Sequence, residues 1–204
     1  MKRSIFIHLL LFIAIASFIL PCGCNKNPAP VIQYPQLPAV SIPEPAEQLL
    51  EESGTYTNTD YHFTLRYCQE FDMVENYQGV IVGFLGDLLS GMTQYISIFV
   101  AAEELPEKTT LRDYLSKNMQ YGEEKLRDYS IVSEEETTID GITAVKIVYT
   151  FSATLGDNDI DFQNALTSFV KDDMVYTIKL SVPERYYQKN RPCYELVLYT
   201  FKFE

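Results

Sequence analysis

The sequence predicts an α+β domain, a mainly antiparallel sheet flanked by helices. Three observations carry this. Met174, Tyr176, Ile178, Leu180 and Val182 alternate with Val175, Thr177, Lys179 and Ser181, and Val145, Ile147, Tyr149 and Phe151 repeat the same period of two. Only a strand places every second residue on one face. Short turn signals join consecutive runs of this kind, so neighbouring strands run antiparallel. Apolar residues at helical spacing occur in two places, after Thr110 and after Pro192. Hydrophobic residues make up 47% of the 204 and charged residues 22%, a globular balance that excludes disorder along the whole chain and collagen-like repeats. Tyr (15) and Phe (12) are plentiful while Trp is absent, an aromatic weight suited to pleated, half-buried surfaces.

Residues 1–23 read as an export signal. Lys2 and Arg3 form a positive start, and Ile5 to Leu20 is apolar apart from His8 and Ser17. That run of 16 residues is shorter than the roughly 20 a membrane-spanning helix needs. Gly23-Cys24 follows, a small residue directly before a Cys as in a bacterial lipobox, with Pro21 where Leu is usual. Cys24 is therefore the expected lipidation site; an uncleaved membrane anchor is the alternative. Both readings tether the remainder outside the cytoplasm at a membrane face. Residues 24–53 hold six of the ten prolines, Pro28, Pro30, Pro35, Pro38, Pro43 and Pro45. Proline lacks an N–H and fixes φ, so this stretch is expected to be an extended spacer reaching at most roughly 90 Å.

Residues 54–204 are the expected folded domain. Thr55–Thr57 and His62–Tyr67 flank Asn58-Thr59-Asp60 as a first hairpin, and Val80–Leu85 and Tyr95–Ala102 are two further strands joined past Gly86 and Gly91. Thr110-x-x-Asp113 approximates a capping box, after which Leu111, Tyr114, Leu115 and Met119 fall on one helical face. Asp140-Gly141 between Thr137–Ile139 and Ala144–Phe151 is a strong two-residue hairpin signal, and Asp172-Asp173 between Phe162–Lys171 and Met174–Val182 is a weaker one. Pro192 suits the first position of a last helix carrying Tyr194, Val197 and Leu198, and Phe201–Phe203 is a closing strand. A domain of about 150 residues buries about two-thirds of its unfolded surface without staples.

The order of several stretches resembles the PsbP family, the extrinsic photosystem II subunits and their non-photosynthetic relatives. They are Tyr56-Thr57-Asn58 running into Tyr61–Tyr67, Gly79–Leu85, Thr110–Tyr114, Thr137–Ala144, Val175–Ile178 and Tyr199–Phe203. Cys68 stands where the family usually has Pro, and Phe71 takes the position of its usual Trp or other aromatic. The resemblance implies an α/β/α sandwich around an antiparallel sheet. It also implies a non-enzymatic role in assembling or stabilising a partner at a membrane, sometimes with bound Ca²⁺, Mn²⁺ or Zn²⁺. In a photosynthetic host it implies an extrinsic photosystem II subunit.

Charge and side-chain inventory narrow the chemistry. Sixteen Lys and Arg against 28 Asp and Glu give a net charge of −12, the wrong sign for a nucleic-acid binder. Outside the leader His62 is the sole histidine, expected on a solvent-facing strand, and no G-x-S-x-G turn presents a serine. No enzymatic activity and no obligatory cofactor are expected. Asp157, Asp159 and Asp161 alternate in an expected loop, an oxygen-rich spacing suited to weak Ca²⁺ binding. Phe162 and Ser168 stand where an EF-hand has Gly and Glu, so an EF-hand is excluded. Glu134-Glu135-Glu136 reads as a solvated strand end, because adjacent strand residues do not share a face. Cys68 and Cys193 either pair across a loop of about 125 residues in an oxidising compartment or remain separate thiols. The expectation is an extracytoplasmic, membrane-anchored lipoprotein serving as an interaction module for a protein partner, with cation or small-ligand binding as the alternative.

Overall fold

The computed structural model describes residues 48–76, 79–86, 96–155 and 157–204. Cys24 and most of the Pro-rich spacer lie outside them. The chain runs β1 (Ser53–Asn58), β2 (Phe63–Cys68), β3 (Phe71–Glu75), β4 (Val82–Gly86), β5 (Ser97–Glu104), α1 (Leu111–Lys125), β6 (Arg127–Ile139), β7 (Ile142–Leu155), β8 (Asn158–Lys171) and β9 (Met174–Pro183). A 3₁₀ turn, Glu184–Tyr186, leads into α2 (Tyr187–Thr200), and β10 (Lys202–Phe203) follows. Among the described residues the strands form a seven-stranded sheet, order β3-β4-β5-β9-β8-β7-β6, and a three-stranded sheet, order β1-β2-β10. Every pairing in them is antiparallel.

Local chemistry fixes the meander. Asp140 and Gly141 have φ of 49° and 76°, and Asp172 and Asp173 have φ of 51° and 61°. Two consecutive left-handed residues make the hairpin turn whose twist matches the strands. Strand periodicity then sorts side chains to two faces. On β7, Ala144 and Val148 join the larger core with β8 Ala165 and Phe169, β9 Ile178 and Leu180, and α2 Tyr194, Leu196 and Val197. The alternate residues Val145, Ile147, Tyr149 and Phe151 join Leu115 of α1 in the smaller core. The two helices therefore lie on opposite faces of the large sheet, and the small sheet shares α2's side. Leu49 and Leu50 pack against that larger core, ahead of β1.

Helix α1 starts where the sequence expects. Thr110 Oγ1 accepts from the Asp113 N–H at 3.1 Å, and the Asp113 carboxylate accepts from the Thr110 N–H at 3.1 Å. These satisfy two donors that a helix start leaves orphaned. Near its end Gly122 leaves room for Tyr129, whose ring lies 2.8 Å from where a Cβ would stand.

Several expectations are corrected. Helix α2 begins at Tyr187, so Pro192 sits inside it. The hydrogen bond lost at Pro192 is outweighed by burial of Tyr187, Cys193 and Tyr194 on either side. Strand β6 extends back to Arg127, so Glu134–Glu136 lie in mid-strand. Strand β3 was not expected; it is held by β4, with Phe71 opposite Gly86. His62 belongs to the β1–β2 turn with φ of 51°, exposed, its carbonyl accepting the Glu204 N–H at 2.9 Å.

Candidate functional site

Cross-strand register assembles a row of polar side chains on the α1 face of the large sheet. Tyr149 on β7 is opposite Asn164 on β8, Asn164 is opposite Ser181 on β9, and Ser181 is opposite Ser97 on β5. The left-handed turn at Asp172-Asp173 sets this register, because a slip of one residue would send Ser181 to the other face. All four are buried: Asn164 is 1% exposed, Ser97 4%, Tyr149 5% and Ser181 7%. Lys179, two residues along β9 from Ser181, is buried as well, with its Nζ 5.7 Å from the centre of the Tyr149 ring. Asn164 Nδ2 donates to the Tyr149 hydroxyl at 3.1 Å, whereas Asn164 Oδ1 has no hydrogen-bond partner among the described residues.

Aromatic rings wall one end of the row. Tyr129 and Tyr149 are 5.4 Å apart centre to centre, and Phe151 stacks on Phe162 at 5.2 Å. Burial, reinforced by Tyr149 and Glu123, pushes the Tyr129 hydroxyl up to about 12. Helix α1 is strapped over this face at both sides. The Tyr114 hydroxyl donates to Glu103 on β5, and Arg112 pairs with Glu134 at 2.8 Å and Glu136 at 3.4 Å on β6. Burial raises the Glu103 carboxyl above its ordinary value despite the Tyr114 hydrogen bond. Burial, with Glu103 beside it, raises the Tyr114 hydroxyl too.

The acidic stretch is not the expected loop. Asp157 is in the hairpin turn, and Asp159 and Asp161 are on β8, each facing a β7 hydroxyl. Thr154 donates to Asp159 and Ser152 to Asp161, both at 2.7 Å, and Arg127 Nη2 pairs with Asp159 at 2.9 Å. The Thr154 hydrogen bond and the Arg127 guanidinium hold the Asp159 carboxyl below the usual range. Among the described residues no group of three or more His, Cys, Asp or Glu side chains converges to hold a metal. The structure joins Cys68, at the end of β2, to Cys193 on α2 through a disulfide with Cα atoms 5.7 Å apart. Cys24 lies outside the described residues.

The polar row escaped the sequence reading for a physical reason. Lys179 and Ser181 look like the solvated half of an amphipathic strand, and nothing local records that α1 returns to cover that half. The available signal was an Asn, a Lys and two Ser at alternate positions of strands rich in apolar residues.

The architecture is shared with solved structures at low identity. Cyanobacterial PsbP (CyanoP) from Synechocystis sp. PCC 6803 superposes with a TM-score of 0.54 at 18% identity, over 75% of this chain and 93% of that one. LpqN of Mycobacterium tuberculosis, involved in cell envelope biogenesis, gives 0.54 at 10% identity over 77% and 95%. The Ran-binding protein Mog1p of Saccharomyces cerevisiae gives 0.51 at 12% identity over 74% and 95%. No curated protein matches the chain. The DcrB family model matches residues 88–200, from before β5 to the end of α2. On that match the chain belongs to the DcrB family, built on a PsbP-like fold.

Proposed function

We propose that this protein is a non-enzymatic, lipid-anchored interaction module on the extracytoplasmic face of a membrane. The single observation that carries the binding role is the β6 edge of the large sheet, which no strand covers among the described residues. Strand β6 ends the strand order and presents Ile131 and Val132, 40% and 57% exposed. A register irregularity between Ile131 and Ser133 turns these consecutive apolar residues outward. Exposed apolar side chains on an edge strand favour contact with a protein partner. The Glu134–Glu136 run beside them, partly neutralised by Arg112, keeps the edge from unselective pairing.

The tether rests on the Gly23-Cys24 motif, and the Cys68–Cys193 disulfide fits an oxidising compartment. The structural relatives include a Ran-binding protein and a protein involved in cell envelope biogenesis, in keeping with a binding role. Intact-mass analysis of the mature N-terminus tests the tether. Acyl chains on Cys24 and release of a Cys24→Ser variant from the membrane fraction are expected; an intact Met1 or a cut beyond Cys24 refutes it.

A further inference from the structure

We infer that β6 takes up its partner as an added antiparallel strand, an extended segment carrying Lys or Arg at alternate positions. The inference rests on the reading of β6 as the binding edge and names what that edge accepts. A turn of only two residues, Asp140-Gly141, closes on a hydrogen-bonded pair, Ile139 opposite Ile142. Bonded and non-bonded pairs then alternate along the ladder. Thr137 with Ala144, Glu135 with Lys146 and Ser133 with Val148 are bonded pairs. Thr138 with Thr143, Glu136 with Val145 and Glu134 with Ile147 are non-bonded pairs, which turn N–H and C=O away from each other. Glu134, Glu136 and Thr138 therefore aim their backbone donors and acceptors off the sheet edge, a template for another strand. The template is bounded. Val132 has no opposite residue on β7, and a bulge of this kind interrupts regular pairing. At the other end Ile139 is buried and the chain turns back.

Side chains on the template decide what pairs with it. Glu134 and Glu136 lie on the α1 face, where one guanidinium, that of Arg112, serves both carboxylates and leaves the pair net negative. Glu135 points to the α2 face and meets Lys146 at 3.0 Å, with 57% of its side chain still exposed. A second copy of the chain fits badly. Antiparallel self-pairing centred on residue 134, 135 or 136 sets Glu134 against Glu134, Glu134 against Glu136, or Glu136 against Glu136. Like charges directly opposite each other destabilise a sheet, whereas opposite charges support it. A partner with Lys or Arg at those positions completes the charge, and the chain's net charge of −12 favours a basic segment at longer range. In an antiparallel ladder the residue opposite Glu134 shares its face and exchanges both backbone bonds with it. The partner's cationic residues are thus the same ones whose amides bond to β6.

The test is fluorescence-anisotropy binding of labelled hexapeptides to the full chain in detergent. The probes are a Lys-Val repeat, a Glu-Val repeat, and two Lys-Val repeats N-methylated at every Lys or at every Val. The Lys-Val repeat is expected to bind at least about tenfold more tightly than the Glu-Val repeat. Methylation at the Lys amides should abolish that binding, while methylation at the Val amides, which face away from β6, should leave it in place. Glu134→Gln/Glu136→Gln is expected to bring the ratio between the two unmethylated repeats to near one, a comparison within one variant that a change in stability does not imitate. No binding by the Lys-Val repeat, equal effects of the two methylations, or a Lys-Val preference that survives the double substitution would each overturn the inference. Sedimentation showing a dimer of the chain that the Lys-Val repeat dissociates would make a second copy the occupant and overturn it too. A discrete adduct from a photo-cross-linker at Val132 together with equal methylation effects would keep β6 as the binding edge and remove only the added strand. No adduct at Val132 would remove the edge itself.

Discussion

Reduction of the Cys68–Cys193 disulfide is expected to lower stability without unfolding the domain. The bond closes a separation of 125 residues, for which loop-closure entropy gives up to about 5 kcal/mol, and native disulfides commonly contribute about 2–5 kcal/mol. Both cysteines are 5% exposed, so cleavage leaves two buried thiols and little packing is lost. A loss of about 3 kcal/mol in a domain of this size lowers Tm by roughly 6–12 °C. Near-UV circular dichroism suits the measurement, since the Tyr and Phe residues crowd the core. The unreduced protein should melt higher than the TCEP-treated one, and Cys68→Ala/Cys193→Ala should melt near the reduced form and ignore TCEP. Amide exchange should rise first in β2, whose end the bond ties to α2. A Tm indifferent to TCEP, or two titratable thiols in the unreduced, denatured domain, would refute the reasoning.

Other predictions rest on single contacts. Glu103 is raised by burial, so the folded state holds its proton longer than the unfolded chain. Its contribution is full below the ordinary carboxylate value and is lost as pH rises through the raised one. Glu103→Gln should remove that fall and be more stable at pH 7, by urea denaturation across pH. Tyr129, raised to about 12, should be missing from the first phase of a tyrosinate absorbance titration, and its contribution should be lost as pH rises from 10 towards 12. Replacing Asp172-Asp173 with Asn-Gly, which suits two left-handed positions better, should stabilise by about 0.5–1 kcal/mol in chemical denaturation. Calcium must compete with Arg127 for Asp159, so millimolar Ca²⁺ should move Tm in Arg127→Ala more than in the parent protein; equal responses would place any bound Ca²⁺ elsewhere.

Elements whose determinants are local were legible in the sequence. Asp140-Gly141 takes a left-handed turn by its own chemistry, Thr110 and Asp113 cap α1 within one turn, and the apolar half of β9 alternates without a break. Strand β3 was not legible, because Phe71 alone of its five residues is buried and pairing with β4 makes it a strand. Most of β6 is exposed along its length, so periodicity could not reveal an edge strand held by β7. Pro192 misled because its local preference for a helix start yields to the tertiary burial of Tyr187 and Tyr194. The carboxylates at Asp159 and Asp161 were visible, but Arg127, Thr154 and Ser152 meet them only across strands. The polar row was invisible for the same reason: its members come from four strands, β5, β7, β8 and β9.

Photo-cross-linking along β6 tests the central claim most directly. With benzoylphenylalanine at Val132 in the full-length chain expressed in its host, one discrete adduct with a membrane-associated protein should form. The same group at Lys117, exposed on α1, should give none. Absence of an adduct at Val132, or the same adducts from both positions, would contradict a partner docked on this edge.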